Sequence, residues 1–271
     1  LVYAGGLSLE DALATMDDKG AVLGRELEKI GYAGDMTPGM IRPHAFVELH
    51  IEQGPLLEEE SVTLGAVENL QGISWTEVIF TGQANHAGTT PLHLRRDAGY
   101  CAAALTTFVR HLAKDMGDVQ VATVGTVELE PNIINVVPGR ARLTVDLRNA
   151  NNDRLCEAER RLHSYIAELS AAEGVTSEAN QLVRFDPVTF DRAIVARIEA
   201  NAAACGYSCR RMTSGAGHDA QMMSRICPTA MIFTPSIKGI SHNPAEATDP
   251  ADLLAGTNVL LHTLLDLAGV A

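Results

Sequence analysis

The chain has 271 residues, with 21 Lys and Arg against 34 Asp and Glu, a formal charge of −13. That balance disfavours polyanionic partners, so neither nucleic acid nor an anionic membrane surface is expected to bind it. Hydrophobic residues at 46% and charged residues at 20% exclude an intrinsically disordered chain and leave room for one large domain or two ordinary ones.

The first elements are short. Ser8-Leu9-Glu10-Asp11 has the form of a capping box and opens a helix. A second helix is predicted from about Asp18, with Leu23, Leu27 and Ile30 on one face and Gly31 as its stop. Phe46 to Glu52 alternates with a period of two. Val47, Leu49 and Ile51 fall on one side, and Glu48, His50 and Glu52 on the other, which predicts a strand. Gly54-Pro55 ends it and Leu56 to Glu60 begins a helix, with Glu58, Glu59 and Glu60 as a solvated face.

From Gly72 a new pattern starts. Residues 73–82 read as a strand, 95–116 as a helix, 119–129 and 139–148 as strands, 152–173 as a helix and 176–185 as a strand. The order β-α-β-β-α-β is the ferredoxin-like arrangement, and about 115 residues is a common domain size. After Asp186-Pro187 the pattern returns to α/β style. A helix is predicted from Asp191 to Cys205, then a short strand, a glycine-rich turn, a further helix, a buried strand of parallel type at Thr229–Thr234 and a closing helix over 249–268. The expected organisation is an α/β domain in two parts, 1–71 and 187–271, interrupted by an inserted domain at 72–186.

No apolar run is long enough to span a bilayer, and no signal peptide is visible. The five cysteines form no C-x-x-C pair, so no disulfide framework is expected and a reducing, cytoplasmic setting fits. The chain begins at Leu1 rather than Met, which reads as a processed product or a piece of something longer.

Several polar segments could carry chemistry. His50 lies near the C-terminal end of its strand, where open α/β sheets place their sites, and shares a face with two carboxylates. It is a candidate metal ligand or an ordinary hydrogen-bonded histidine. Gly82 to Pro91 is a polar loop in which His86 could donate to a developing oxyanion. Arg148, at the end of Asp146-Leu147-Arg148, has the planar fork that matches a carboxylate, or it makes a surface ion pair. Ser214 to Ala220 is a glycine-rich turn into a helix, open to close approach by a ligand. His242 with Glu246 could supply a second ligand and its support.

Taken together, Glu48-Leu49-His50-Ile51-Glu52-Gln53-Gly54-Pro55, Asn85-His86-Ala87-Gly88-Thr89-Thr90-Pro91, Asn135-Val136-Val137-Pro138-Gly139, Asp146-Leu147-Arg148, Ser214-Gly215-Ala216-Gly217-His218-Asp219-Ala220 and Ser241-His242-Asn243 occur in one order. In that order they resemble the N-carbamoyl-L-amino-acid hydrolases and allantoate amidohydrolases of the dinuclear-metal amidase and carboxypeptidase family. The resemblance covers essentially the whole chain.

The resemblance implies a zinc-peptidase-like α/β catalytic domain with an inserted lid and dimerisation domain. It implies two divalent metal ions (Zn, Mn, Co or Ni), with His50 a ligand of one and His242 of the other. His86, Asn135 and Arg148 would reach the active site of the partner subunit in a homodimer, His86 stabilising the oxyanion and the other two holding a carboxylate. Gln53, Ser214 and Gly215 would meet the substrate, a small ureido compound bearing a carboxylate. The implied reaction is hydrolysis of the carbamoyl C–N bond of an N-carbamoyl-L-amino acid, with allantoate amidohydrolase and β-ureidopropionase as alternatives. The family's upstream His, bridging Asp and Glu-Glu pair have no counterpart here and would lie before Leu1. With two inferred ligands of five, the chain alone is expected to be inactive. The reading from another class is a non-catalytic dimerising module.

Overall fold

The computed structural model describes residues 1–117 and 119–269. In chain order it contains α1 (Leu9–Ala14), α2 (Leu23–Lys29), β1 (Phe46–Ile51), α3 (Leu56–Glu59), β2 (Leu64–Leu70), β3 (Gly72–Thr81), β4 (Asn85–His86), α4 (Ala98–Met116), β5 (Val121–Glu130) and β6 (Val136–Val137). Then follow β7 (Arg140–Asn149), α5 (Asn152–Glu173), β8 (Thr176–Phe185), β9 (Val188–Thr189), α6 (Arg192–Ala204), β10 (Cys209–Ser214), α7 (Asp219–Met223), β11 (Thr229–Thr234) and α8 (Pro250–Leu267). The chain divides into two compact units, residues 1–69 with 189–271, and residues 70–188.

In the first unit a mixed sheet has the order β1-β11-β2-β10, with β9 beside β2. β1 and β11 run parallel, with Glu48 opposite Met231 and His50 opposite Phe233, and β11 runs antiparallel to β2. All six residues of β11 are buried, the run expected of a parallel strand covered on both faces. Helix α8 starts where Asp249 accepts the N–H of Ala251, with Pro250 in the first turn. Gly256 lets it lie close on the sheet, since a Cβ there would sit 2.7 Å from both Leu49 Cδ1 and Thr234 Cγ2.

The second unit is an antiparallel sheet of order β5-β7-β3-β8, so the first and third strands of the unit are central. This is the ferredoxin-like order. Phe80, Leu105, Leu112, Leu143, Leu147, Leu155 and Leu162 are fully buried between the sheet and α4 and α5. Caps fix both helices. Asp97 accepts from the N–H of Tyr100, Asn151 accepts from that of Arg154, and Gly174 closes α5 in the left-handed region at φ 63°.

The structure departs from the sequence expectations at several elements, the short strands β4, β6 and β9 among them. Helix α2 starts at Leu23 rather than Asp18, because Asp17 Oδ1 accepts the N–H groups of Lys19 and Ala21 and locks a turn first. Helix α4 starts after Asp97 rather than at Arg95, for the capping reason just given. Strand β2 was not expected. Its Leu64-Gly65-Ala66-Val67 run is buried without alternation between β11 and β10, and its small residues carry little strand propensity. All five cysteines are free thiols, and among the described residues no helix is long and apolar enough to cross a membrane.

Candidate metal centre and substrate site

Within the first unit, three segments meet at the C-terminal half of β1. The period of two puts Glu48 and His50 on one face of that strand. The turn after β10 brings His218 to them as the residue preceding α7. One donor atom from each of Glu48, His50 and His218 lies within 4.8 Å of the other two. The rings of His50 and His218 meet edge to face at 4.5 Å, and Phe233 of β11 lies behind both, at 6.4 and 5.5 Å.

Each of the three is anchored through its other polar atom. His50 Nδ1 lies 2.8 Å from its neighbour's carbonyl, Ile51 O, and donates to it, which leaves the Nε2 lone pair available to a ligand. His218 Nε2 is 3.0 Å from the buried Ser214 Oγ. Ser214 Oγ also lies 3.1 Å from Ala216 O and 3.2 Å from Ala216 N, so a hydroxyl that donates to this carbonyl accepts from His218 Nε2–H. Glu48 Oε2 accepts the Ala220 N–H at 2.7 Å, tying β1 to the first turn of α7. Burial pushes the Glu48 carboxyl up, partly opposed by that hydrogen bond. Burial, and then the charge of His50, push His218 down to about 4, so it is a neutral imidazole near pH 7.

Gln53 follows β1 in the left-handed region at φ 58°. Its N–H donates to the buried Ser236 Oγ at 3.0 Å, and its amide Nε2 donates to Ser241 Oγ at 3.2 Å. His242, the next residue, is exposed, and its N–H donates to Glu246 Oε2 at 3.1 Å. Bonds from Ser241 and the His242 N–H hold the Glu246 carboxyl below the usual range. Gln53 and the His242 turn are therefore brought together, while the donor cluster draws on Glu48 and His218 instead of His242. Glu52 is spent on structure: its two oxygens accept the N–H groups of Leu56 and Leu57 and cap α3. Gly215 lies exposed just beyond Ser214.

The remaining predicted residues lie in the second unit. His86 on β4 pairs with Val136 on β6, and the Ala87 N–H donates to Asn135 O at 2.9 Å, so His86 and Asn135 share one small two-stranded element. His86 Nδ1 accepts the N–H groups of Gly88 and Thr89 at 3.1 and 3.2 Å. Both bonds need the lone pair on Nδ1, so the neutral ring carries its proton on the exposed Nε2. Arg95 stiffens the turn by donating to Thr90 O at 3.0 Å and Ala87 O at 2.6 Å. Arg148 lies on the sheet face away from α4 and α5, and its guanidinium engages Asp146 two residues earlier, at 2.7 to 3.1 Å.

Glu48 and His218 were not assigned ligand roles from the sequence. Glu48 was visible as a neighbour of His50 on one strand face. The meeting of His218 with β1 depends on the sheet order, which no local signal carries.

The profile of the family described as Peptidase family M20/M25/M40 matches residues 15–266. An N-carbamoyl-L-amino-acid amidohydrolase of Rhizobium meliloti is 38% identical over 269 residues, which is 99% of this chain and 65% of that protein. An allantoate amidohydrolase of Escherichia coli (strain K12) is 39% identical over 224 residues, 83% of this chain and 54% of that protein. A crystal structure of an amidase of the hydantoinase/carbamoylase family from Burkholderia vietnamiensis matches with a TM-score of 0.88 at 44% identity, covering 98% of this chain and 65% of that one. The chain thus spans less than two thirds of the length of each of these relatives.

Proposed function

We propose that this chain, which belongs to peptidase family M20/M25/M40, is part of an enzyme that hydrolyses the carbamoyl C–N bond of N-carbamoyl-L-amino acids. The products would be the amino acid, ammonia and carbon dioxide. The observation that carries the reading is the meeting of the β1 motif around His50 with the Ser214–Ala220 turn, at the carboxyl end of a parallel strand pair. The name of the Rhizobium meliloti relative supports the substrate class.

The family is metal-dependent, and the donor set fits a divalent ion: imidazole nitrogens and a carboxylate, each anchored through its other atom. In this reading His50 and His242 each hold one of two divalent ions drawn from Zn, Mn, Co and Ni. Such ions, when bound, polarise a carbonyl and acidify a water. The chain's own groups then orient and stabilise. His86 donates from Nε2–H to the oxyanion, and the two N–H bonds to its Nδ1 fix the tautomer that this requires. Arg148 and Asn135 hold the substrate carboxylate, with Asp146 keeping the guanidinium in place along β7. Gln53, Ser214 and Gly215 line the substrate site. Residues 1–71 and 187–271 serve as catalytic domain. Residues 72–186 serve as lid and as the dimerising surface of a homodimer, so that His86, Asn135 and Arg148 act on the partner's site.

The test is ammonia release by the whole protein from N-carbamoyl-L-amino acids, their D enantiomers and allantoate. Turnover confined to the L-carbamoyl compounds supports the reading, and inertness toward every ureido carboxylate overturns it. Faster turnover of allantoate selects the second reading, which the Escherichia coli relative favours. The 271-residue chain by itself is expected to give no turnover. Arg148→Ala in the whole protein should lower kcat/KM by about 10- to 100-fold, the loss of a charge-assisted contact of roughly 1.5–3 kcal/mol. Unchanged kinetics would remove Arg148 from the site.

A further inference from the structure

We propose that a cavity of the first unit, bounded by α6, β2 and β10, binds a free α-amino acid through its ammonium and carboxylate groups together. The cavity shares no lining residue with the Glu48, His50 and His218 cluster. The ligand class is read from the groups around the cavity and does not rest on the hydrolase reading.

The cavity has a volume of about 440 Å³, within the range of about 300–1,000 Å³ usual for small-molecule sites. Its walls carry both signs of charge. Arg192 opens α6, is exposed, and makes no ion pair among the described residues. The Arg211 guanidinium on β10 lies 2.7 Å from Glu199 and 3.8 Å from Glu68 on β2, so it stands between two carboxylates. A planar guanidinium matches a carboxylate bidentately, and Arg192 offers one with no partner to displace. Asn69, which follows Glu68 in the wall, has its Oδ1 buried and without a hydrogen-bond partner. An unpaired buried acceptor is costly, and an N–H donor satisfies it. Glu68 and Asn69 thus supply acceptors for an ammonium, and Arg192 with Arg211 supplies donors for a carboxylate. Glu68 repels a ligand that is only anionic, and the two arginines repel one that is only cationic. A small zwitterion answers both walls at once. Phe190 and Val195 are buried and give the cavity an apolar part, which suits an aliphatic side chain.

The experiment is calorimetric titration of the whole protein carrying Arg148→Ala, which removes the carboxylate clamp proposed for the catalytic site. The probes are glycine, L-alanine and L-leucine, with 4-methylpentanoate and 3-methylbutylamine as analogues of leucine that each keep one charge. The expected result is saturable binding of L-leucine, one per chain, at least about tenfold tighter than either analogue. Adding Arg192→Ala or Glu68→Gln should weaken it at least about tenfold. Arg192 is exposed, so its removal leaves the fold in place. Asn69→Ala should also weaken binding, yet leave the thermal midpoint of the ligand-free protein unlowered, since its Oδ1 has no internal bond to lose. Binding of 4-methylpentanoate as tight as that of L-leucine would make this an anion site only and overturn the proposal. So would binding that survives Arg192→Ala, or no saturable binding of any of the three amino acids up to about 10 mM. Binding present in the unaltered protein but lost with Arg148→Ala alone would assign the amino acid to the catalytic site instead, and would equally overturn it.

Discussion

The second unit and the first 45 residues of the chain show two ways of holding a shape. In the second unit, α4 and α5 close over one face of a four-stranded sheet and bury a continuous core around Phe80, Leu105 and Leu143. In residues 1–45 the one buried apolar residue among those described is Ala12, while Met16, Ile30, Tyr32, Met36, Met40 and Ile41 are all exposed. That segment is held by local hydrogen bonds instead: the Ser8 cap, the Asp17 turn and the Met16–Val22 bridge. The contrast teaches that regular elements here do not imply a core of their own. The apolar row of α2 is real, yet within the described unit it is covered only in part: Leu27 is half-buried beside α1, while Leu23 and Ile30 are exposed.

Native-state hydrogen exchange should separate the two regions most widely. Amides of α4 and β7 are expected to exchange at least about a thousandfold more slowly than those of α1 and α2, because the former open only with the whole unit. Comparable protection in both would erase the contrast. Core truncation comes next. Phe80→Ala should cost about 3–5 kcal/mol by denaturant unfolding, while Ile30→Ala should stay within about 0.5 kcal/mol. A large loss at Ile30 would mean that its face is covered in solution. Removing the cap of α6 by Asp191→Ala frees the N–H groups of Ala193 and Ile194 and should cost about 1 kcal/mol, between these extremes.

The smallest effect concerns pH on the open sheet face. The hydrogen bond from Arg142 holds the Glu77 carboxyl below its ordinary range. A depressed folded value adds stability above the unfolded carboxylate pKa, and that stability is lost as pH falls through the folded value. Thermal midpoints between pH 7 and pH 3 should therefore fall slightly less in Glu77→Gln than in the unaltered chain. A larger fall in the variant would contradict the assignment.

Much of the fold was legible because its signals are local. The alternation of Ala141, Leu143, Val145 and Leu147 and the succession of strand and helix patterns can each be read from short windows, whereas the sequence pattern predicts α4 from Arg95 and passes over the Asp97 cap. Strand β2 was not legible, since a short run with Gly65 and Ala66 buried on both sides lacks both period and propensity. The site divides in the same way. His50 and Glu48 share a strand face and could be read together, whereas His218 joins them through the pairing of β1 with β11 and the course of the chain after β10. The tautomer of His86 rests on two backbone N–H groups and is likewise invisible in the residue string.

The proposal that residues 72–186 of one subunit complete the catalytic site of its partner is tested directly by subunit mixing. Whole-protein His50→Ala and His86→Ala variants should each be inactive alone. Unfolded and refolded together at equal amounts, they should recover about a quarter of the unaltered activity, since half of the random two-fold dimers carry one intact site. No recovery, with mixed dimers demonstrated to form, would place His86 on its own subunit's site or outside catalysis, and would contradict the account.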